Sequence, residues 1–490
     1  MTANTAQTQH SGISEAPLFG DVCLLGLGVT GRAVLDYFIS HPEQYHSLAV
    51  FGASAAERDA YKALYMQGGS TVYPDAQEVV GSYDITIASP GIPPHDPLFR
   101  SAQRCSQEII SEPELAWRLS PQRWIAITGT NGKTTTTTLV AHLLETAGVA
   151  ARTAGNIGTP CIEAIVQRAD DEYLAVELSS YQLFSTVQFA PDIAILLAIT
   201  PDHLSWHGTH EAYVLSKLKL LQNIDKQALA VIDAGGETTR AAILALRDAG
   251  HRVVGIGTSD GLYSSMVKRC GAANAAYVAP GSHILTVELD EAVHTLCHAA
   301  DLKLRGTHNL TNALAASTAA LSLGVSCDDI IEGLKTFEAL EHRFEPCGEV
   351  RGVRFFNDSK ATNTDAAIKA VEAFGDDEGR RVIALFGGSD KGTELDDLIC
   401  ACSRNCHTVI CYGEAAKRFY DAFCACEAFR VIQVEGFVEA CAAAIKVASQ
   451  GDIVLLSPAC ASFDEFSCFE ARGTAFKEFV SSLGKEAGRP

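Results

Sequence analysis

No stretch of the 490-residue chain approaches the roughly 20 consecutive apolar positions a helix needs to cross a bilayer, so no membrane span is expected. The opening MTANTAQTQHSGISEAPLFG also lacks a basic segment followed by an apolar one, which argues against an export leader. None of the 16 cysteines is spaced as C-x-x-C, which makes a zinc site unexpected. In a long chain with no leader they read as reduced thiols in the cytoplasm. Basic residues are outnumbered, 38 against 59 acidic, for a net charge of −21. Such a surface repels phosphate backbones and anionic membranes, so neither nucleic acid nor a membrane is an expected partner. Anionic ligands must then be captured by local pockets. With 47% hydrophobic and 20% charged residues the composition is ordinary for a globular protein, and the length suggests about three domains.

What is present begins with a phosphate-binding loop. The apolar run ending at Ile127 leads into Thr128, Gly129, Thr130, Asn131, Gly132, Lys133, Thr134 and Thr135, followed by the helix-compatible TTTTLVAHLLETAG. Glycines let backbone N–H groups approach a polyphosphate, and the helix N-terminus adds donors and partial positive charge. Lys133 is placed for β/γ oxygens and the Thr134 hydroxyl for Mg²⁺. The chain therefore reads as binding ATP or a relative. Ile127 stands where the longer G-x-x-x-x-G-K-[ST] pattern has its first glycine, so only the G-T-N-G-K-T core is present.

Short apolar runs alternate with helical segments along most of the chain. DVCLLGLGVTGRAVLDYFIS reads as strand, glycine turn and helix, with LAVFG, YDITIAS and QEIIS as further strands up to about Glu112. RWIAITG, YLAVELSS and DIAILLAIT begin a second unit that runs to about His342. VRFFNDS, RVIALFGGSD, HTVICYG and DIVLLSPA form a third from Arg343. The pattern predicts an α/β protein of three domains whose largely parallel sheets hold ligands at the carboxyl ends of their strands. The expected divisions are a polar tail over 1–20 and domains over 21–112, 113–342 and 343–490.

Gly26, Gly28 and Gly31 form G-x-G-x-x-G, which suits a dinucleotide, another nucleotide diphosphate, or a turn with no ligand. A nicotinamide cofactor needs an acid after the second strand, and that strand ends in Phe51, Gly52, Ala53 and Ser54, which disfavours an oxidoreductase. Glu177 closes YLAVELSS, where a carboxylate can hold Mg²⁺ or simply be solvated. Asp202 and His203 follow the next strand; His203 could ligate a second metal ion, touch the γ-phosphate or be structural. Lys217, on an amphipathic helix, reads by default as a surface lysine. Asn357, Asp358, Lys360, Thr362 and Asn363 crowd a strand-to-helix loop that suits ligand binding or helix capping. Lys391 and Ser462 sit in similar loops expected to face the same crevice.

In order, GLGVTG, ASPGIP, GTNGKTT, GNIG, ELSSYQL, DHLSWHGT, HNLTNALAA, HRFE, NDSKATN and SPACASFDEFSCFEARG make the chain resemble the Mur ligases over nearly everything after the tail. These are ATP-dependent amino-acid-adding enzymes of peptidoglycan synthesis. The resemblance implies a Rossmann-like N-terminal domain holding a UDP-linked substrate, a central P-loop ATPase domain and a Rossmann-like C-terminal domain bringing the amino acid. Among such enzymes the motifs fit addition of D-glutamate to UDP-N-acetylmuramoyl-L-alanine by a cytoplasmic monomer through an acyl phosphate. Val29, Thr30, Ser89 and Gly91 would then meet the UDP part. Gly129, Thr130, Asn131, Gly132, Lys133, Thr134, Thr135 and Asn156 would meet ATP phosphates, and Asn309, Asn312, Arg343 and Asp358 would frame the nucleotide. Thr362, Lys391, Ser462 and Phe469 would hold D-glutamate. Thr134, Glu177 and His203 would meet Mg²⁺, together with Lys217 as a CO₂-derived carbamate; Lys133, His203 and Lys217 would be catalytic. Gly52, Ala53 and Ser54 depart from the polar set usual on the uracil side.

Overall fold

A computed structural model describes residues 19–53, 71–74, 76–257, 274–304, 306–338, 340–374, 381–390 and 392–487. Most of the predicted tail, together with Ser54 and Lys391, therefore lies outside the described residues. By its internal contacts the chain divides into two compact units, Met1–Gly255 with Cys270–Ala273, and Ile256–Arg269 with Asn274–Pro490.

The first unit opens with β1 (Asp21–Leu25), β2 (Ser47–Ala53), β3 (Thr71–Pro74), β4 (Tyr83–Ala88) and β5 (Ser106–Ser111), parallel in the order β3-β2-β1-β4-β5. β1 lies between β2 and β4, and the G-x-G-x-x-G turn leaves its carboxyl end where the strand order reverses. The same unit contains β6 (Trp124–Thr128), β7 (Ala151–Gly155), β8 (Tyr173–Glu177), β9 (Ile193–Leu196) and β10 (Leu229–Asp233), parallel in the order β10-β9-β6-β8-β7. β6 occupies the second reversal point. Buried on both faces, it reads as the continuous apolar run WIAIT rather than as an alternation.

β11 (Arg252–Gly257) spans the point in the chain where the first unit gives way to the second. In the second unit β12 (Asn274–Val278), β13 (Ile284–Leu289) and β14 (Ala292–His298) pair antiparallel. A six-stranded sheet follows, from β15 (Glu345–Val350), β16 (Val353–Asn357), β17 (Val382–Gly387), β18 (Cys406–Tyr412), β19 (Arg430–Gln433) and β20 (Ile453–Ala459). Its order is β15-β16-β20-β17-β18-β19, antiparallel only between β15 and β16. Alternate residues of β17 enter opposite cores: Val382, Ala384 and Phe386 pack on one side, Ile383 and Leu385 on the other. All the described cysteines are free thiols, and no helix among the described residues is long and apolar enough to cross a membrane.

Candidate active site

The phosphate loop starts where β6 ends. Ile127 is fully buried inside that strand, in register with Glu177 of β8, so the glycine-rich segment begins two residues later than the longer pattern requires. Gly129 has φ 157°, and a Cβ there would stand 2.6 Å from the Cβ of Leu197. Gly132, at φ 83°, is the N-cap of the helix Lys133–Thr146 and offers no side chain to its first-turn N–H groups. Backbone donors at such a terminus suit an anion. Lys133 Nζ folds back onto Gly129 O at 3.1 Å and Thr130 O at 2.9 Å. Thr134 and Thr135 are buried in the first turn, and the Thr130 hydroxyl lies 2.9 Å from both Thr200 O and the Tyr213 hydroxyl.

Glu177, at the end of β8, is 3% exposed. Its Oε1 accepts from Asn156 Nδ2 at 2.9 Å, while Oε2 is buried and has no hydrogen-bond partner. Mg²⁺ usually takes one or two carboxylate oxygens and completes its shell with waters and substrate phosphates. An unsatisfied carboxylate oxygen next to a phosphate loop fits that requirement. Among the described residues no three His, Cys, Asp or Glu side chains form a metal cage of their own.

Past β9, His203 is held at φ 56°, its N–H donating to Asp202 Oδ1 at 2.8 Å. The ring's Nδ1 lies 2.7 Å from the Tyr181 hydroxyl and its Nε2 3.6 Å from Asp202 Oδ2. Tyr181 in turn stacks on Trp206 with ring centres 4.6 Å apart. Nearby His207 is pushed down to about 4, by burial and then by His203 and Lys217.

The surface reading of Lys217 is overturned, because the residue is 1% exposed. Tyr213, Val214, Ser216 and Lys217 form the inward face of the helix His210–Leu218. Lys217 Nζ donates to Gly129 O at 2.7 Å and to Thr128 Oγ1 at 3.3 Å, and lies 4.9 Å from the centre of the Tyr213 ring. Burial, and then Lys133, hold its pKa well below that of an ordinary lysine, against the pull of Asp202 and Glu177. The amine is thereby pushed towards its neutral form.

At the carboxyl edge of β1 and β4, Val29 is 71% exposed and Thr30 half-buried in the first turn of the helix Val29–Ser40. Ser89 donates through its N–H to Leu25 O at 3.0 Å and through its hydroxyl to Gly26 O at 3.3 Å, and Gly91 beyond it is exposed. A Cβ at Gly31 would stand 2.0 Å from Gly26 O, so this glycine lets the helix close on the turn. Gly52 has φ 76° and Leu98 against it, which accounts for a glycine where a nicotinamide site would place an acid.

In the second unit Asn309 and Asn312 are buried on the helix Thr307–Ser322, with Asn312 Nδ2 donating to Asn309 Oδ1 at 2.9 Å. Asp358, just past β16, accepts from Ser457 Oγ at 2.8 Å. Burial pushes its carboxyl up to about 7, opposed by Ser457 and Arg343. Thr362 is half-buried and Ser462 buried past β20, and Lys360 Nζ lies 5.3 Å from the centre of the Phe469 ring. Ser359 Oγ donates to Phe469 O at 2.8 Å, which joins the loop after β16 to the start of the helix Phe469–Ala487. Sequence reasoning gave no role to Tyr181 or Arg472. Neither carries a local signal, since the first reads as core aromatic and the second as an ordinary helix cation.

Residues 127–320 match the model of the Mur ligase middle domain and residues 342–460 that of the Mur ligase glutamate ligase domain. A relative from Alkaliphilus metalliredigens (strain QYMF) is 36% identical over 94% of this chain and 98% of its own. One from Pelotomaculum thermopropionicum is 34% identical over 95% and 98%; both are named UDP-N-acetylmuramoylalanine--D-glutamate ligase. The crystal structure of MurF from Acinetobacter baumannii shares the fold at 17% identity, covering 94% of this chain and 93% of that one with a TM-score of 0.57.

Proposed function

The chain belongs to the Mur ligases, and from that premise we propose that it is the ATP-dependent ligase joining D-glutamate to UDP-N-acetylmuramoyl-L-alanine in peptidoglycan precursor synthesis. The substrate carboxylate attacks the γ-phosphorus of ATP, ADP leaves and an acyl phosphate forms. The free amine of D-glutamate then adds to the acyl carbon, and phosphate leaves as the amide closes. No serine or cysteine nucleophile is required; catalysis rests on positioning and on charge stabilisation.

The structural observation that carries this reading is Lys217 buried against Gly129 at the base of the phosphate loop. Burial favours the neutral amine, the form that combines with CO₂ to give a carbamate and release a proton. The product is an anionic arm beside the loop where an ammonium stood. Thr134, Glu177, His203 and the Lys217 carbamate would hold Mg²⁺, which when bound cancels repulsion between the attacking carboxylate and the γ-phosphate. Lys133 exchanges its hold on Gly129 O and Thr130 O for phosphate oxygens as charge shifts towards ADP, while the loop Gly129 to Thr135 and the side chain of Asn156 line the phosphates, the first-turn N–H groups of the helix Lys133–Thr146 facing them.

Within the first unit Val29, Thr30, Ser89 and Gly91 are assigned to the UDP moiety. Within the second, Asn309, Asn312, Arg343 and Asp358 are assigned to the nucleotide, and Thr362, Lys391, Ser462 and Phe469 to D-glutamate. The family resemblance supports these assignments, as it does a division into Rossmann-like 21–112, ATP-binding 113–342 and Rossmann-like 343–490, and a cytoplasmic monomer. Phosphate release should be measured with ATP, UDP-N-acetylmuramoyl-L-alanine and one amino acid at a time. Release with D-glutamate but not with L-alanine or a diamino acid is expected. Release with another amino acid instead, or without the UDP substrate, would overturn the assignment.

A further inference from the structure

Arg472, in the first turn of the helix Phe469–Ala487, has none of its surface exposed. Its guanidinium joins three loops. Nε donates to Ser359 Oγ at 3.0 Å, and Nη2 donates to Ser359 O at 2.9 Å and Cys460 O at 3.1 Å. Nη1 donates to Ala461 O at 3.2 Å and, more loosely, to Gly387 O at 3.4 Å. These acceptors lie at or just beyond the carboxyl ends of β16, β20 and β17. A Cβ on Gly388 would stand 2.1 Å from Ala461 O and 3.0 Å from Nη1, so a glycine lets the third loop close on the loop after β20 and on the guanidinium.

Every one of those acceptors is neutral. Buried charges are normally paired with opposite ones, yet among the described residues no carboxylate pairs with Arg472. The neighbouring acids bond elsewhere: Asp390 pairs with the Arg418 cation at 2.8 Å, while Asp358 accepts from the neutral Ser457 hydroxyl at 2.8 Å and Asp464 from the N–H of Glu414 at 3.2 Å. Five neutral acceptors solvate the cation without cancelling its charge. The cation lies beneath the loops carrying Thr362 and Ser462.

We propose that Arg472 is a positioning and specificity-determining residue for the amino-acid substrate, tying these loops into one floor and selecting an anionic amino acid by charge rather than by contact. The inference rests on the assignment of D-glutamate to Thr362 and Ser462. D-glutamate arrives with two carboxylates and one amine, so a buried cation favours it over its amide, D-glutamine. The same field disfavours the ammonium form, so the attacking amine sheds its proton at lower pH than it would otherwise.

Steady-state kinetics of Arg472→Gln and Arg472→Lys test this. In Arg472→Gln the KM for D-glutamate should rise about tenfold, the scale of one unit charge acting across roughly 10 Å of protein. KM for ATP and for the UDP substrate should hold, the preference for D-glutamate over D-glutamine should shrink, and the rise of kcat/KM with pH should move to higher pH. Arg472→Lys keeps the charge but loses the fork, so it should recover most of the selectivity. A D-glutamate KM and pH profile unchanged in a folded Arg472→Gln protein would overturn the proposal and leave a structural arginine. Should Arg472→Gln fail to fold, Ser359→Asp places a carboxylate within reach of Nε and neutralises the charge in place. The same rise in D-glutamate KM is then expected, and an unchanged value refutes the role. Ser462→Ala separates the two levels: if it leaves the D-glutamate KM untouched, the amino-acid site itself is misassigned and this inference fails with it.

Discussion

The Tyr181 hydroxyl meets Nδ1 of His203 at 2.7 Å, leaving Nε2 as the ring nitrogen on the side of Asp202. A phenol on one imidazole nitrogen fixes ring orientation and tautomer, as the hydrogen-bond partners of metal-ligating histidines do. Tyr181→Phe keeps the stack on Trp206 and removes only this hydrogen bond. It should raise the Mg²⁺ concentration needed for half-maximal activity, by 10- to 100-fold on the usual scale of such partners. The ¹⁵N shifts of the His203 ring should change in the metal-free protein. Unchanged shifts and an unchanged Mg²⁺ requirement would leave Tyr181 a packing residue.

Lys217→Ala should abolish ligation, and acetate should restore part of it by returning a carboxylate to the vacated position. Lys217→Arg should stay inactive, because arginine keeps the cation that carbamate formation removes. The position is also fully enclosed, so the larger side chain has no exit to solvent. Mass spectrometry of the parent under bicarbonate provides an independent check. An active Lys217→Arg enzyme would exclude the carbamate while leaving the ligase assignment in place.

Most of the parallel strands and the loops at their carboxyl ends were legible because strands buried on both faces are continuous apolar runs and glycine turns are written in the sequence. β3, β7, β10 and β19 were not legible as strands; β7 and β19 are only partly buried edge strands without such a run. The antiparallel β13–β14 pair was not legible either. Its two-residue turn is Asp290–Glu291, with both residues at positive φ, 49° and 68°, where Asn-Gly would have been the usual sign. Lys217 was legible only through family resemblance. Helical periodicity shows that Lys217 and Tyr213 share a face, but a lysine there gives no indication that the face points inward. Arg472 was hidden for a different reason: its partners are mostly backbone carbonyls from distant loops, which leave no trace in side-chain pattern.

Lys133→Ala should leave thermal stability near the parent's, because the amine sits half-buried at the edge of the site and bonds to the loop carbonyls of Gly129 and Thr130. Turnover should fall by about a hundredfold, equivalent to about 3 kcal/mol of transition-state stabilisation, as for other single electrostatic contacts. Phosphate release and a melting curve on the same preparation separate the two effects. Parent-like turnover in a folded variant would refute the phosphate-loop assignment.

Glu112 offers a test of stability that does not depend on the reaction. It is fully buried, its Oε1 accepts from the N–H of Ile162 at 2.6 Å, and its Oε2 has no hydrogen-bond partner. Burial pushes its carboxyl from 4.5 up to about 7, partly opposed by the Ile162 bond and reinforced by Glu163. The unfolded chain therefore loses this proton near 4.5 while the native state keeps it until about 7. Across that window Glu112 holds more proton in the native state, so its contribution to stability falls as pH rises from about 4.5 to about 7 and levels off above. Glu112→Gln retains an oxygen for Ile162 and cannot ionise. Its pH profile of urea midpoints should be flatter over this range, and its advantage over the parent should grow towards pH 8, reaching at most about 3 kcal/mol. Parallel profiles for parent and variant would show that Glu112 does not titrate between those limits, and that the buried carboxyl is held charged by contacts other than the Ile162 N–H.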